Sequence, residues 1–223
     1  LLANIMLNEL DRELERRGHR FVRCADDMVI FCKSKASAKQ TLEHIIPFIE
    51  GKLFLKVNRE KTTVAYAGKI KFLGYGFYKG QKGFGLRVHQ KAQKKMRRRV
   101  KEVTSRRTVN DYEGWKQALK RFVTGWVNYF KLADMRQLLE RTDQWMRRRI
   151  RMVFWKKWKR VRTRYRNLRK LGLNHNDAYM TANNRKGYWA VVNTRTVKTA
   201  LSNQKLERAG FQMFLPYYKS VAV

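Results

Sequence analysis

Two adjacent carboxylates, Asp26 and Asp27, interrupt the apolar stretch Phe21-Val22-Arg23-Cys24-Ala25-Asp26-Asp27-Met28-Val29-Ile30-Phe31. Short apolar runs on either side of a polar break read as a β-hairpin with the pair at its tip. Carboxylates fixed on a rigid turn can ligate a hard divalent cation such as Mg²⁺. Such cations support in-line phosphoryl displacement. The plain alternative is a turn, because Asp side chains bond backbone amides that follow them. Taken alone, the segment favours the turn; the residues downstream reverse that preference. No other constellation competes, for His19, His44, His89 and His175 are scattered without metal-ligand spacing. Nothing specifically supports a Ser/His/Asp or Cys/His nucleophile.

The elements that must position the pair follow from periodicity. Ala3, Leu7, Leu10 and Leu14 recur at helical spacing, with Gly18 as the stop. The hairpin spans about Arg20 to Cys32. Ser34 and Ser37 can cap a helix carrying Ala38, Leu42, Ile45, Phe48 and Ile49, which Pro47 should kink or end. Leu53, Leu55 and Val57 alternate like a short strand. Thr62 to Tyr66 is β-branched and aromatic, and Lys71 to Tyr78 reads as another strand. Gly80-Gln81-Lys82-Gly83 is a turn, after which Phe84 to His89 returns. The first ninety residues thus mix helices with a small antiparallel sheet.

From about residue 90 the composition changes. Lys91, Lys94, Lys95, Arg97, Arg98, Arg99, Lys101, Arg106 and Arg107 form a run of one sign. Beyond Asn110 the pattern is helical. Tyr112, Trp115, Leu119, Phe122, Trp126 and Tyr129 or Phe130 make one stripe, and Trp115, Trp126 and Tyr129 read as core. Leu138, Leu139, Trp145, Met146, Ile150, Val153 and Phe154 make a second. Gly172, Asn174 and Gly187 break the later part of the chain, and a final helix should hold Val197, Leu201 and Leu206 before Gly210.

Charge bounds the function class. Of 223 residues, 52 are Lys or Arg and 17 are Asp or Glu, a formal net charge of +35, so a polyanionic partner is expected. Hydrophobic residues at 43% permit a packed core. No segment has the apolar length of a membrane span, and no signal-peptide pattern opens the chain. The two cysteines, Cys24 and Cys32, lack zinc spacing and suggest free thiols in a reducing interior. In the stretch from Arg147-Arg148-Arg149-Ile150-Arg151 to Arg166, Trp155 and Trp158 sit among Arg151, Lys156, Lys157, Lys159, Arg160, Arg162, Arg164 and Arg166. Exposed rings could stack unpaired bases. Helical spacing favours core rings with cations turned outward to phosphate.

With those pieces placed, the chain resembles the C-terminal half of a group II intron-encoded reverse transcriptase and maturase. Leu1-Leu2-Ala3-Asn4-Ile5 looks like the end of the family's Ser-Pro-Leu-Leu-Ala-Asn helix start. Phe21 to Asp27 looks like its Phe-x-Arg-Tyr-Ala-Asp-Asp block, and Leu53-x-Leu55-x-x-Asn58-x-x-Lys61-Thr62 like the next block of the family. Phe72-Leu73-Gly74-Tyr75 looks like the primer-grip strand. Gly125-Trp126-Val127-Asn128-Tyr129-Phe130 resembles the core of the maturase-specific thumb, or X, domain. Gly187-Tyr188-Trp189 and Leu201-x-x-x-x-Leu206-x-x-x-Gly210 fit its C-terminal part.

The resemblance implies an α+β fold, with the end of a right-hand polymerase palm over 1–90 and a helical thumb or maturase domain over 91–223. It implies RNA-directed DNA polymerase (nucleotidyltransferase) and RNA-splicing maturase activities of a mobile genetic element. Asp26 would belong to a two-metal Mg²⁺ site, with Asp27 its less directly coordinating neighbour. Cys24, Ala25 and Lys61 would lie near that site, and Phe72, Leu73, Gly74 and Tyr75 would hold the primer end. Lys94, Lys95, Arg97, Arg98, Arg99, Arg147, Arg148, Arg151, Lys156, Lys157, Lys159, Arg160 and Arg164 would contact RNA. The partners would be group II intron RNA and an RNA template with a DNA primer, with a homodimer as a further option. The setting would be a bacterial or organellar interior, bound to nucleic acid and not to membrane.

Cys24 departs from the family's Tyr, which implies reduced activity or altered fidelity. The family's first catalytic Asp and its fingers precede the segment that begins at Leu1, so the chain reads as a fragment that does not polymerise alone. No HNH-type nuclease segment comes after the helical domain, as in intron proteins without an endonuclease. Two other readings remain: an RNA-binding protein without polymerase activity, and a basic membrane-surface protein.

Overall fold

A computed structural model of the chain describes residues 2–81, 83–105 and 111–222. It is α+β, and it divides into two compact units, Leu1–His89 and Gln90–Val223.

The first unit opens with helix α1 (Leu2–Arg16), whose buried Leu10 and Leu14 lie one turn apart. Gly18 ends it at φ +69, with the His19 amide donating to Leu14 O and the Gly18 amide to Glu15 O. That is a Schellman closure, which needs a left-handed residue at this position. Strands β1 (Arg20–Cys24) and β2 (Asp27–Phe31) pair antiparallel, from Arg20 with Phe31 to Cys24 with Asp27. Ser34 caps helix α2 (Lys35–Pro47) by accepting from the Ser37 amide. Pro47 ends the α-helical ladder, and a π-helical turn over Phe48–Lys52 comes next. Leu10, Leu14, Ile45 and Leu53 form the core of this unit, and Phe21, Met28 and Ile30 of the hairpin pack on it.

The expected strands at 53–57 and 62–66 are absent among the described residues. Leu53, Leu55 and Val57 do alternate inward, without a ladder partner. The expected strand at 71–78 is instead a hairpin of β3 (Lys71–Phe72) and β4 (Tyr75–Gly80), closed where Phe72 pairs with Tyr75. Leu73 at φ +50 and Gly74 at φ +82 form its turn. Positive φ at both central residues is the signature of a type I′ connection. Strand β5 (Gly83–Val88) pairs with β4 and completes a three-stranded sheet.

The second unit is helical: α3 (Gln90–Val103), α4 (Tyr112–Phe130), α5 (Arg136–Lys157), α6 (Val161–Lys170), α7 (His175–Ala182), α8 (Tyr188–Val191), α9 (Arg195–Ala200), α10 (Asn203–Arg208) and α11 (Phe214–Val221). On α4, Trp115, Leu119, Val123, Val127 and Phe130 are buried, while Tyr129 points outward and is not core. Trp126 is half-buried and meets Phe214 edge-on at 5.7 Å. Trp155 and Trp158 are buried with Leu168, Leu173 and Val197. The single final helix expected through Val197 and Leu206 is two helices, because Ser202 caps α10 by accepting from the Lys205 amide.

Asp143 of α5 is buried and accepts from the Phe214 and Leu215 amides at 2.9 and 2.8 Å, which anchors the start of α11. Burial raises its carboxyl to about 6, against the opposing pull of those two amides and of Arg147. No described helix is long and apolar enough to cross a membrane.

Candidate functional site

The β1–β2 hairpin turns on two residues, Ala25 and Asp26, because Cys24 already pairs with Asp27. Ala25 sits at φ +55, a conformation in which a Cβ is strained. Asp26 and Asp27 are both exposed. Directly opposed residues share a face of the ribbon, so Cys24 lies beside Asp27, with Val22 and Phe31 further along the same open face. Val22 and Phe31 are each 49% exposed. The other face buries Phe21, Met28 and Ile30.

Arg23 holds this tip. Its Nε donates to Asp11 Oδ1 at 2.8 Å and a second guanidinium nitrogen donates to the other oxygen of the same carboxylate. Its remaining arm donates to Asn4 Oδ1 at 3.1 Å and to the Ala25 carbonyl at 3.0 Å. One side chain therefore ties α1 to the strained turn residue, and the hydrogen bond to Asp11 raises the Arg23 pKa. Sequence pattern gives Arg23 no role of its own. Its signals are the inward side of β1 and the Arg position of the Phe-x-Arg-Tyr-Ala-Asp-Asp block, and nothing in the spacing from Asp11 to Arg23 announces the pair.

Lys61 is exposed on a turn built by Asn58, whose carbonyl accepts from the Lys61 and Thr62 amides at 3.2 and 3.1 Å. The residues expected as a primer-grip strand, Phe72 to Tyr75, form the type I′ turn and its flanks; Leu73 is part-exposed and the Gly74 carbonyl accepts from the His89 amide. Among the described residues no third His, Cys, Asp or Glu joins Asp26 and Asp27 in a metal-sized group.

In the second unit, α3 buries Met96 and Val100 and exposes Lys94, Lys95, Arg97, Arg98 and Arg99. Arg98 and Arg99 share Glu102 at 3.7 and 3.1 Å, surface pairs that neutralise little. Arg106 and Arg107 lie outside the described residues.

The cations of α5 are placed differently. Arg151, expected on an RNA face, is 6% exposed and donates to Leu201 O at 2.8 Å and Asn203 Oδ1 at 2.9 Å. It closes the C-terminal end of α9, where a cation meets carbonyls without partners. Arg148 donates to Trp189 O at 2.7 Å and stacks on the Trp189 ring at 4.0 Å. Arg147 is half-buried beside Glu207 at 3.5 Å. A helix with basic residues at 147, 148, 149 and 151 surrounds itself with charge, so some of it must face the interior. Lys159 and Arg160 remain exposed and Lys156, Lys157 and Arg164 are half-exposed.

A family model described as reverse transcriptase (RNA-dependent DNA polymerase) matches residues 1–77. A second, described as the maturase-specific domain of group II introns, matches residues 93–172. Together they span more than half of the chain. This chain belongs to the group II intron reverse transcriptase/maturase family. The reverse-transcriptase match contains the Asp26–Asp27 tip and its Arg23 anchor; the maturase match contains α3 from Gln93 onward, with α4, α5 and α6. No curated protein matches the chain.

Proposed function

We propose that this reverse transcriptase/maturase serves RNA-directed DNA synthesis and splicing of a mobile group II intron. Its hairpin would supply carboxylates to a two-metal site, and its basic helices would bind intron RNA. The polymerase reading is carried by one observation: Asp26 and Asp27 stand exposed at the tip of a hairpin pinned by Arg23. Two carboxylates suit Mg²⁺, which keeps several waters and takes substrate phosphates as its remaining ligands. The chemistry Mg²⁺ supplies when bound is charge neutralisation at the attacking and leaving oxygens.

The chain's own residues have separate tasks in this reading. Arg23 fixes the position of both carboxylates. Cys24, beside Asp27 on the open face, meets the primer strand with less surface than a Tyr ring would. Lys61 offers a cation to phosphate. The Leu73–Gly74 turn holds the primer end as a hairpin rather than a strand. For splicing, Lys94, Lys95 and Arg97 with the C-terminal cations Lys157 and Arg160 hold intron RNA in its active fold, and the RNA performs the chemistry. Arg151 takes no part, since its donors are engaged inside the protein.

The second reading is RNA binding without polymerisation. The formal net charge of +35 favours it, because phosphate attraction needs no metal at the hairpin. Paramagnetic Mn²⁺ separates the two. Broadening confined to the hairpin tip, and abolished in Asp26→Asn, supports the metal site; no broadening with RNA affinity intact supports the binding-only reading. The maturase half is tested by affinity for a group II intron RNA against an unrelated structured RNA across a salt series. Tighter binding to the intron is expected, and equal binding with equal salt slopes would reduce the reading to general phosphate attraction.

A further inference from the structure

A cleft of about 620 Å³ lies wholly within the second unit, inside the size range of small-ligand sites. Arg149, Met152 and Lys156 reach it from one face of α5, at i, i+3 and i+7. Lys101 comes from the end of α3, Lys159 from just beyond α5, Arg164 from α6 and Tyr188 from the start of α8.

The walls are built, not incidental. Arg149 donates to the Lys101 carbonyl at 3.1 Å, to the Thr104 carbonyl at 3.3 Å and to the Thr104 hydroxyl. That closes the end of α3 and brings Lys101 to the rim. Arg164 donates to Trp158 O at 2.9 Å and stacks on Trp155 at 4.8 Å. Met152 and Trp155, both nearly buried, form the floor.

No lining residue is acidic. Among the described residues Lys101, Lys156, Lys159 and Arg164 have no carboxylate partner. The Lys156 ammonium rests only 3.9 Å from the Tyr188 ring centroid, and that ring is half-exposed. Five cations around one concavity repel each other and focus a positive field into it. An anion relieves that repulsion. An aromatic wall beside the cations adds a surface for a flat ring.

We infer that this cleft binds one unpaired nucleotide of an RNA strand, with its phosphate on Lys101, Lys156 and Lys159 and its base against Tyr188. The inference rests on the RNA-binding reading above and narrows it. A paired base is stacked inside its helix and cannot reach a ring at the side of a concave site. Unpaired bases stack on exposed aromatics regardless of sequence. The exposed face of α3 has the opposite character, convex and without aromatics, and suits duplex phosphates.

The test compares a short unstructured RNA with an RNA hairpin of equal phosphate count, using the whole chain. Lys156→Ala and Tyr188→Leu are each expected to weaken the single strand about tenfold and the hairpin less than about twofold. Tyr188→Phe should keep full single-strand affinity, because a phenyl ring stacks as well. Lys94→Ala with Lys95→Ala should weaken both RNAs alike. Uridine monophosphate should displace the single strand at lower concentration than inorganic phosphate does; equal competition would overturn the base contact. Photo-crosslinking of a 4-thiouridine strand to the unaltered protein needs no variant and should label the peptide containing Tyr188. Labelling elsewhere alone, or equal losses for both RNAs in Tyr188→Leu, overturns the cleft. Intron affinity that survives those losses leaves the maturase reading standing, whereas loss of preference for intron RNA with an intact single-strand effect sinks only the latter.

Discussion

Ala25 is the residue on which the hairpin tip turns, and its φ of +55 is a conformation that glycine adopts freely. Ala25→Gly should therefore be neutral or stabilising by up to about 1 kcal/mol, since relief of strain outweighs the extra chain entropy. A lower denaturant midpoint would contradict the backbone geometry. Arg23 acts in the other direction. Arg23→Ala leaves the part-buried Asp11 carboxylate without its fork and frees the Ala25 carbonyl, at a cost of about 2–3 kcal/mol. Arg23→Lys should recover little, because one ammonium cannot serve Asn4, Asp11 and Ala25 together. Of the two thiols, Cys24 is exposed and Cys32 is half-buried against the Thr41 hydroxyl at 3.7 Å. Iodoacetamide followed by peptide mapping should find Cys24 alkylated first.

At the scale of elements, the joint between α5 and α11 depends on a buried carboxylate. Asp143→Ala strands two amides at the start of α11 and should destabilise the protein by about 2–4 kcal/mol. The raised carboxyl gives the pH dependence its sign. The folded pKa is about 6 against an ordinary 3.8, so the folded state binds the proton more tightly. Its contribution is full below about pH 4 and vanishes as pH rises through 6. Relative to Asp143→Asn, which cannot titrate, the unaltered protein should lose about 3 kcal/mol between about pH 4 and pH 7. Thermal melts of both proteins at matched pH measure this difference, and parallel curves would show that the group does not titrate there. The elements are also where sequence pattern misleads most. Lys71 to Tyr78 reads as one aromatic-rich strand, yet Leu73 and Gly74 both take positive φ and fold it into a hairpin. The glycine is visible in the sequence, but its partner in the turn is a leucine, which carries no turn signal. Ser202 splits the final helix by a cap that a continuous apolar stripe conceals.

For the whole molecule, charge is the dominant property, and its effect on RNA affinity should divide by location. Removing an exposed α3 cation should weaken RNA binding uniformly and lower the salt slope by about 1 for each phosphate left without its cation. Arg151→Met should lower stability and leave that slope unchanged, because its guanidinium is bonded to Leu201 and Asn203. A salt series on both variants decides whether the RNA surface lies where the exposed cations are.

The hairpin with Asp26 and Asp27 at its tip, the α1 stop at Gly18, the core placement of Trp115, Trp155 and Trp158, and the strongly cationic character were all legible in the amino-acid order. These arise from local periodicity, turn chemistry and net charge, which neighbouring residues settle among themselves. That Arg23 fastens the tip through Asp11, Asn4 and Ala25 emerges from packing between elements. The same packing turned Arg151 inward onto the end of α9 and gathered Lys101, Lys156, Lys159, Arg164 and Tyr188 around one cleft. Those outcomes join side chains from separate elements. In a chain with 52 basic residues, charge alone does not tell which will face water and which will close the ends of neighbouring helices.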